Sequence, residues 1–224
     1  MEKVHLLQFQ VESYAKIWAL QKKLQKEVIE KRQESYLILT QHLPVITLGK
    51  SGSYSNLLLS EDELSSKKIQ FFEVDRGGDI TYHGPGQLVG YPVLNLEHFK
   101  KDIHWYLRQL EQSIIETLEE YNILASRIKS LTGVWIQKKK ICAIGIKTTR
   151  WVTMHGFALN VTNDLNPFQS IIPCGIQDKG ITSISEQVGN IIPIEEVIKV
   201  FLEKFEKIFG VTIVDRPELI NYSV

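Results

Sequence analysis

Residues 133–161 read GVWIQKKKICAIGIKTTRWVTMHGFALNV. Three runs of β-branched and apolar residues, 134–136, 141–146 and 152–161, follow one another with only lysine, threonine and arginine turns between them. Such runs bounded by polar turns predict strands. Connections this short leave no room for a crossover helix, so the three strands pair antiparallel. That excludes a doubly wound fold, in which strands alternate strictly with helices.

Upstream, residues 4–9 predict a strand, and Tyr14, Ile17, Leu20, Leu24 and Val28 then recur at helical spacing. Residues 35–40 and 45–48 are short strands joined across Pro44, and 69–74 and 88–96 are two more, around a glycine-rich loop. A second helix starts at Ile103 behind an Asp102 cap. Tyr106, Leu107, Leu110, Ile114, Leu118 and Tyr121 form its apolar stripe, and Glu111, Glu116 and Glu119 its polar face. A last helix runs from about Ile194, with Ile198, Phe201, Leu202, Phe205, Ile208 and Phe209 on one stripe and Gly210 as its stop. The sum is an α+β protein, a mixed but mainly antiparallel sheet packed against helices, with residues 1–224 forming a single domain.

Composition limits the partners. Twenty-six basic and 26 acidic side chains cancel, so no overall field draws the chain to nucleic acid or to an anionic membrane, and any charged partner meets a local patch. The start Met1-Glu2-Lys3-Val4-His5 lacks the apolar run of a signal peptide, and no window approaches the length of a membrane span. A cytoplasmic location follows as the expectation. The two cysteines, Cys142 and Cys174, are then free thiols, and neither lies in a CxxC pair, so no metal site is expected.

Four segments carry candidate chemistry. Residues 76–87, RGGDITYHGPGQ, place an arginine, a histidine and a glutamine among glycines. Glycines let a backbone approach a ligand and present its amides to it, while Thr81, His83 and Gln87 can position polar substrate atoms. Gly49-Lys50-Ser51 imitates the end of a phosphate loop, but that motif needs a glycine where this chain has Pro44, so the segment is a turn beside the same cleft. Lys138 and Lys139 form a solvated turn, whereas Lys140 opens a small-residue strand and can face a cleft; Cys142, mid-strand among apolar residues, is an inert core thiol. Cys174 sits between Pro173 and Gly175, surroundings that suit a nucleophile better than a packing residue. Lys140 is one basic partner for its thiol. His83 and His155 are others, and with either the chain would be a cysteine hydrolase.

Residues 44–49, 76–92, 133–145, 155–161 and 172–183 together resemble the lipoyl(octanoyl) transferase family, in the expected order and across most of the chain. The 76–87 block is the most specific of these, and it is more distantly similar to the substrate loop of lipoate and biotin ligases. The resemblance implies the biotin/lipoate ligase-like catalytic fold. It implies octanoyl transfer from acyl carrier protein, whose phosphopantetheine arm delivers the chain so that no separate cofactor is needed. The acceptors it implies are lysines on lipoyl domains of 2-oxoacid dehydrogenase complexes and on glycine cleavage H protein. Cys174 becomes the thioester-forming nucleophile and Lys140 its activator, as ion-pair partner or as general base. Arg76, Gly77, Gly78, Asp79, Ile80, Thr81, Tyr82 and His83, then Ala143, Ile144 and Gly145, then Gly156, Phe157 and Ala158 fall in the family's substrate-binding segments. Cys142 departs from the alanine expected there.

Two further expectations follow from that chemistry. Donors near Gly175 or in the loop at Gly77 are candidates to hold the oxyanion, and Lys138, Lys139, Lys147 and Arg150 are candidates for a basic patch that meets acidic partners. The alternatives are an ATP-dependent lipoate or biotin ligase, which has no need of Cys174, and a non-catalytic lipoyl-domain binding module, which would tolerate its loss.

Overall fold

The computed structural model describes residues 1–31, 34–172 and 180–216. Strand β1 (Glu2–Glu12) leads into helix α1 (Tyr14–Lys31), and β2 (Ser35–His42) and β3 (Val45–Leu48) follow. After a short helix α2 (Glu61–Ser66) come β4 (Gln70–Glu73), β5 (Ile80–His83) and β6 (Gln87–Val93). The long helix α3 (Ile103–Glu119) precedes β7 (Ser126–Ile128), β8 (Leu131–Ile136), β9 (Lys139–Thr149) and β10 (Val152–Asn160). The described chain then closes with β11 (Gly180–Ile181), α4 (Ile184–Val188), α5 (Ile194–Phe209) and β12 (Val211–Asp215).

The larger sheet has the order β12-β1-β2-β6-β10-β9-β8-β7, with β11 added on β9, and a smaller one has the order β4-β3-β5. Strands β8, β9 and β10 pair antiparallel, as their short connections require, and β6 joins β10 and β2 in the same sense. Parallel pairs form where β1 meets β2 and β12, where β3 meets β4, and where β11 meets β9.

The large sheet buries both faces. Because successive side chains on a strand point to opposite sides, β10 sends Phe157 and Leu159 into a core shared with α3 and α5, where the Phe157 ring lies 4.8 Å from that of Phe201. It sends Ala158 the other way, into a core with Ile17, Leu20 and Leu24 of α1 and with Val89 and Tyr91 of β6. Asp102 caps α3 as expected, accepting from the Trp105 amide at 3.0 Å, and Gly210 ends α5 in the left-handed conformation with φ 64.

Two expected elements and one expected surface residue differ in the fold. The segment expected to be a glycine-rich loop contains β5, whose Ile80-Thr81-Tyr82 pair with Leu48, Thr47 and Ile46 of β3. The strand expected over 88–96 ends at Val93 and gives way to a tight turn at Leu96–His98. Glu111, assigned to a polar face, is fully buried. It is tied to Arg108 and to Arg127, the latter at 2.9 Å, and accepts the Gly133 amide at 3.1 Å. Two guanidinium groups replace the water that a lone carboxylate would lose, which is what lets a charge sit inside.

Candidate active site

A cavity of about 240 Å³ opens on the α1 side of the sheet. Its floor is the β6–β10–β9 ladder, where Ala143 stands opposite Ala158, Gly145 opposite Gly156, and Val89 next in line beside Ala158. Small side chains on this face leave the space, while Ile144, Cys142, Phe157 and Leu159 on the reverse face fill the core. Gly145 also lets the 76–78 loop lie directly on the sheet, since a Cβ there would stand 2.7 Å from the Gly77 carbonyl oxygen.

Of the candidate substrate-binding residues, Arg76, Gly78, Asp79, Ile80, Thr81, His83, Ala143, Ile144, Gly145, Gly156, Phe157 and Ala158 line this cavity, and Gly77 and Tyr82 do not. Tyr82 instead turns into the small apolar cluster of the β3–β5 sheet, edge-on to Phe168. The Gly77 amide donates to the Ile146 carbonyl at 2.8 Å, so it is not an oxyanion donor. Arg76 donates to the Thr47 carbonyl at 2.8 Å and to its hydroxyl at 2.9 Å, fastening the loop to β3. The amides of Gly49, Lys50 and Ser51 are spent on the carbonyls of Asp79, Arg76 and Gly78, which explains physically why this turn is no phosphate cradle.

The two histidines are held by neighbours. His83 bonds Gln87 Oε1 through Nδ1 at 2.8 Å, and the Gln87 amide nitrogen goes on to Asn160 Oδ1 at 2.9 Å. Burial pushes His83 down to about 3, so it is neutral near neutrality. His155 bonds Asp75 Oδ1 through Nε2 at 2.8 Å, and its basicity too is lowered by burial. Its backbone has φ 60, in the left-handed region that is costly for a non-glycine residue, and its amide donates to Gln21 Oε1 of α1 at 2.9 Å. Asp75 also pairs with Lys147, and the hydrogen bond from His155 is the main cause of its lowered carboxyl pKa.

Lys140 is buried beside this cavity, with its ammonium 4.7 Å from the centre of the Trp135 ring. A β-bulge places it there. Trp135 is opposite Lys140 but Val134 is opposite Cys142, so β9 spends one extra residue across this step. An extra residue reverses the facing of everything beyond it. Lys140 therefore shares the cavity face with Ala143 and Gly145, while Ile141 and Cys142 both enter the core. Burial drives the Cys142 thiol well above its ordinary pKa, consistent with an inert packing residue.

Cys174, with Pro173 and Gly175, lies outside the described residues. On the far side of that segment, Gly180 and Ile181 run parallel to Lys139 and Lys140, and the Thr182 amide donates to the Lys140 carbonyl at 3.0 Å. Asn160 holds the same turn by donating to the Thr182 carbonyl at 3.0 Å.

The expected basic patch does not assemble. Lys139 and Lys147 lie toward opposite ends of β9, about 26 Å apart at roughly 3.3 Å per residue, and Lys147 is committed to Asp75. The sequence reading gave Tyr14, Trp135 and Asn160, all of which line the cavity, no part in the site, nor Asp75, which anchors His155. The only hint of Asp75 was its position directly before Arg76.

Residues 13–206 match the lipoyl protein ligase A/B catalytic domain. The octanoyltransferase of Flavobacterium psychrophilum is 48% identical, over 90% of this chain and 94% of that one. The chain belongs to the octanoyltransferase family. It is an acyltransferase. Among solved structures, lipoate-protein ligase A bound with ATP superposes with a TM-score of 0.75 over 100% of this chain and 96% of that one, at 15% identity. The biotin protein ligase of Aquifex aeolicus in complex with biotin and ATP gives 0.54 over 92% and 70%, at 18% identity. Both likenesses speak for the shared fold. No helix among the described residues is long and apolar enough to cross a membrane.

Proposed function

We propose that this octanoyltransferase works in the cytoplasm as a single domain, carrying the octanoyl group on Cys174 between two proteins. The Cys174 sulfur attacks the thioester carbonyl of octanoyl-acyl carrier protein, the carrier thiol departs with a proton, and an octanoyl thioester forms. The ε-amine of an acceptor lysine on a lipoyl domain, or on glycine cleavage H protein, then attacks that thioester. An amide forms, Cys174 regains its proton, and no nucleotide is consumed. The first exchange is nearly balanced, and the greater stability of the amide drives the second.

The observation that carries this reading is the burial of Lys140 on the wall of a small-floored cavity, with the chain just after Cys174 paired to the same strand. A thiol is mostly protonated at neutral pH, and a neighbouring ammonium favours its reactive thiolate. Ile80, Val89, Ala143, Ala158 and Phe168 give the cavity an apolar lining, and each methylene buried there contributes about 0.8 kcal/mol. Arg76, Gly78, Asp79, Ile80, Thr81 and His83 also line the cavity, and on this reading they meet the donor's arm or the acceptor's lysine.

Incubation with octanoyl-acyl carrier protein, followed by intact-protein mass spectrometry, is expected to give an adduct of octanoyl mass on Cys174. Cys174→Ala should show none, Lys140→Ala should form it slowly, and addition of a lipoyl domain should discharge it without ATP. A wild-type protein that gives no adduct, or that transfers only with ATP, overturns the proposal.

A further inference from the structure

We propose that Trp135 is a positioning residue for Lys140, its ring face holding the ammonium that serves the transfer. This rests on the reading of Lys140 given above and adds what fixes that group in place.

A lysine carries four rotatable bonds, so burial alone does not determine where its charge stands. Three features of the strand pair supply the constraint. Trp135 and Lys140 are directly opposite one another across β8 and β9, the closest relation two side chains on one sheet face can have. The adjoining bulge turns Lys140 onto the cavity face, where the indole already lies buried. The ammonium is 4.7 Å from the ring centre, within cation–π range. An indole face attracts a cation without competing as a charged partner, so it can hold the Lys140 side chain in place beside the cavity.

The support behind Trp135 has the same purpose. Gly133 has φ 118, and a Cβ there would stand 2.6 Å from the Cys142 carbonyl oxygen and 3.8 Å from Cδ of Lys140. The Gly133 amide is held by the buried Glu111 carboxylate at 3.1 Å. The β8 backbone is thus fastened to α3 two residues before the indole, which fixes the strand that carries the ring.

The test pairs Trp135→Leu with Trp135→Phe and reads two quantities. The first is the nuclear resonance of the Lys140 ε-methylene, assigned by its disappearance in Lys140→Arg. It is expected upfield of the other lysines in the wild type, partly retained in Trp135→Phe, and returned to the common position in Trp135→Leu. The second is the rate of adduct formation on Cys174, expected to fall about tenfold in Trp135→Leu and to recover to within about threefold of wild type in Trp135→Phe. Thermal unfolding of both variants separates this effect from loss of the fold.

A wild-type Lys140 resonance at the common position overturns the proposal. So does a Trp135→Leu protein that acylates as fast as wild type, or a Trp135→Phe protein as slow as Trp135→Leu. Should no protein, wild type included, acylate Cys174, the transfer reading fails, and the resonance alone still decides whether the ring holds the ammonium.

Discussion

The two faces of the β6–β10–β9 ladder use the same strands for opposite ends. On the α3/α5 side the sequence places Cys142, Ile144, Phe157 and Leu159, and the space is filled to the point where Phe157, Phe201, Phe205 and Phe209 touch ring to ring. On the α1 side the intervening residues are Ala143, Gly145, Gly156 and Ala158, and a cavity remains. The α3/α5 face is thus filled throughout, whereas the α1 face combines its own core with room for a ligand. Lys140 and Cys142 mark the boundary, two residues apart on one strand and on opposite sides of it.

Substitutions that separate the two faces test this division. Phe201→Ala empties the filled side and should cost about 3–5 kcal/mol in chemical denaturation. Below its unfolding range the variant should acylate at close to the wild-type rate, and a loss of rate in the folded protein would mean the faces are coupled. Gly145→Val works from the other side. Its branched side chain would meet the Gly77 carbonyl and Cδ of Arg76, so transfer measured in single turnover should fall by about 100-fold, equivalent to about 2.7 kcal/mol in the barrier. Stability should drop by less than in Phe201→Ala.

Falling pH should act through the buried histidines. Burial lowers His42, which bonds the Tyr91 hydroxyl through Nε2 at 2.7 Å and lies edge-on to His83, to about 4, and His83 to about 3, both below the ordinary histidine value. The unfolded chain therefore takes up protons first as pH falls through about 6.5, and stability declines from there until the folded values are reached. Each histidine contributes a slope of about 1.4 kcal/mol per pH unit across that window. Denaturation midpoints between pH 7 and pH 4 measure this, and a flat profile would show that the two rings are not held neutral. The smallest effect is expected for Cys142→Ala, which removes one core sulfur. A cost of about 1 kcal/mol and an acylation rate within twofold of wild type would keep this thiol out of the chemistry. A large loss of rate would bring it in.

Much of this was legible in the chain. The antiparallel β8–β9–β10 ladder followed from three β-type runs with short polar turns, and α1, α3 and α5 from apolar residues at helical spacing. Strand β5 was hidden because glycines crowd both of its ends, and Glu111 because its partner Arg127 stands 16 positions away. His83 and His155 were open candidates for a base. His83 and Gln87 are only four positions apart, but the burial of both histidines and the bond of His155 to Asp75, 80 positions away, exist only in the folded protein.

What the sequence determined by itself is whatever depends on neighbours along the chain: the type of most elements, the sense of their pairing, and the small residues of a strand face with space above it. Tertiary structure decided which way Lys140 points. Simple alternation would group Lys140 with Cys142 and Ile144 on the core face, and one extra residue in β9 moves it to the face of Ala143 and Gly145. Such a bulge is a mismatch in count between two strands, and a count of that kind exists only once β8 and β9 are side by side.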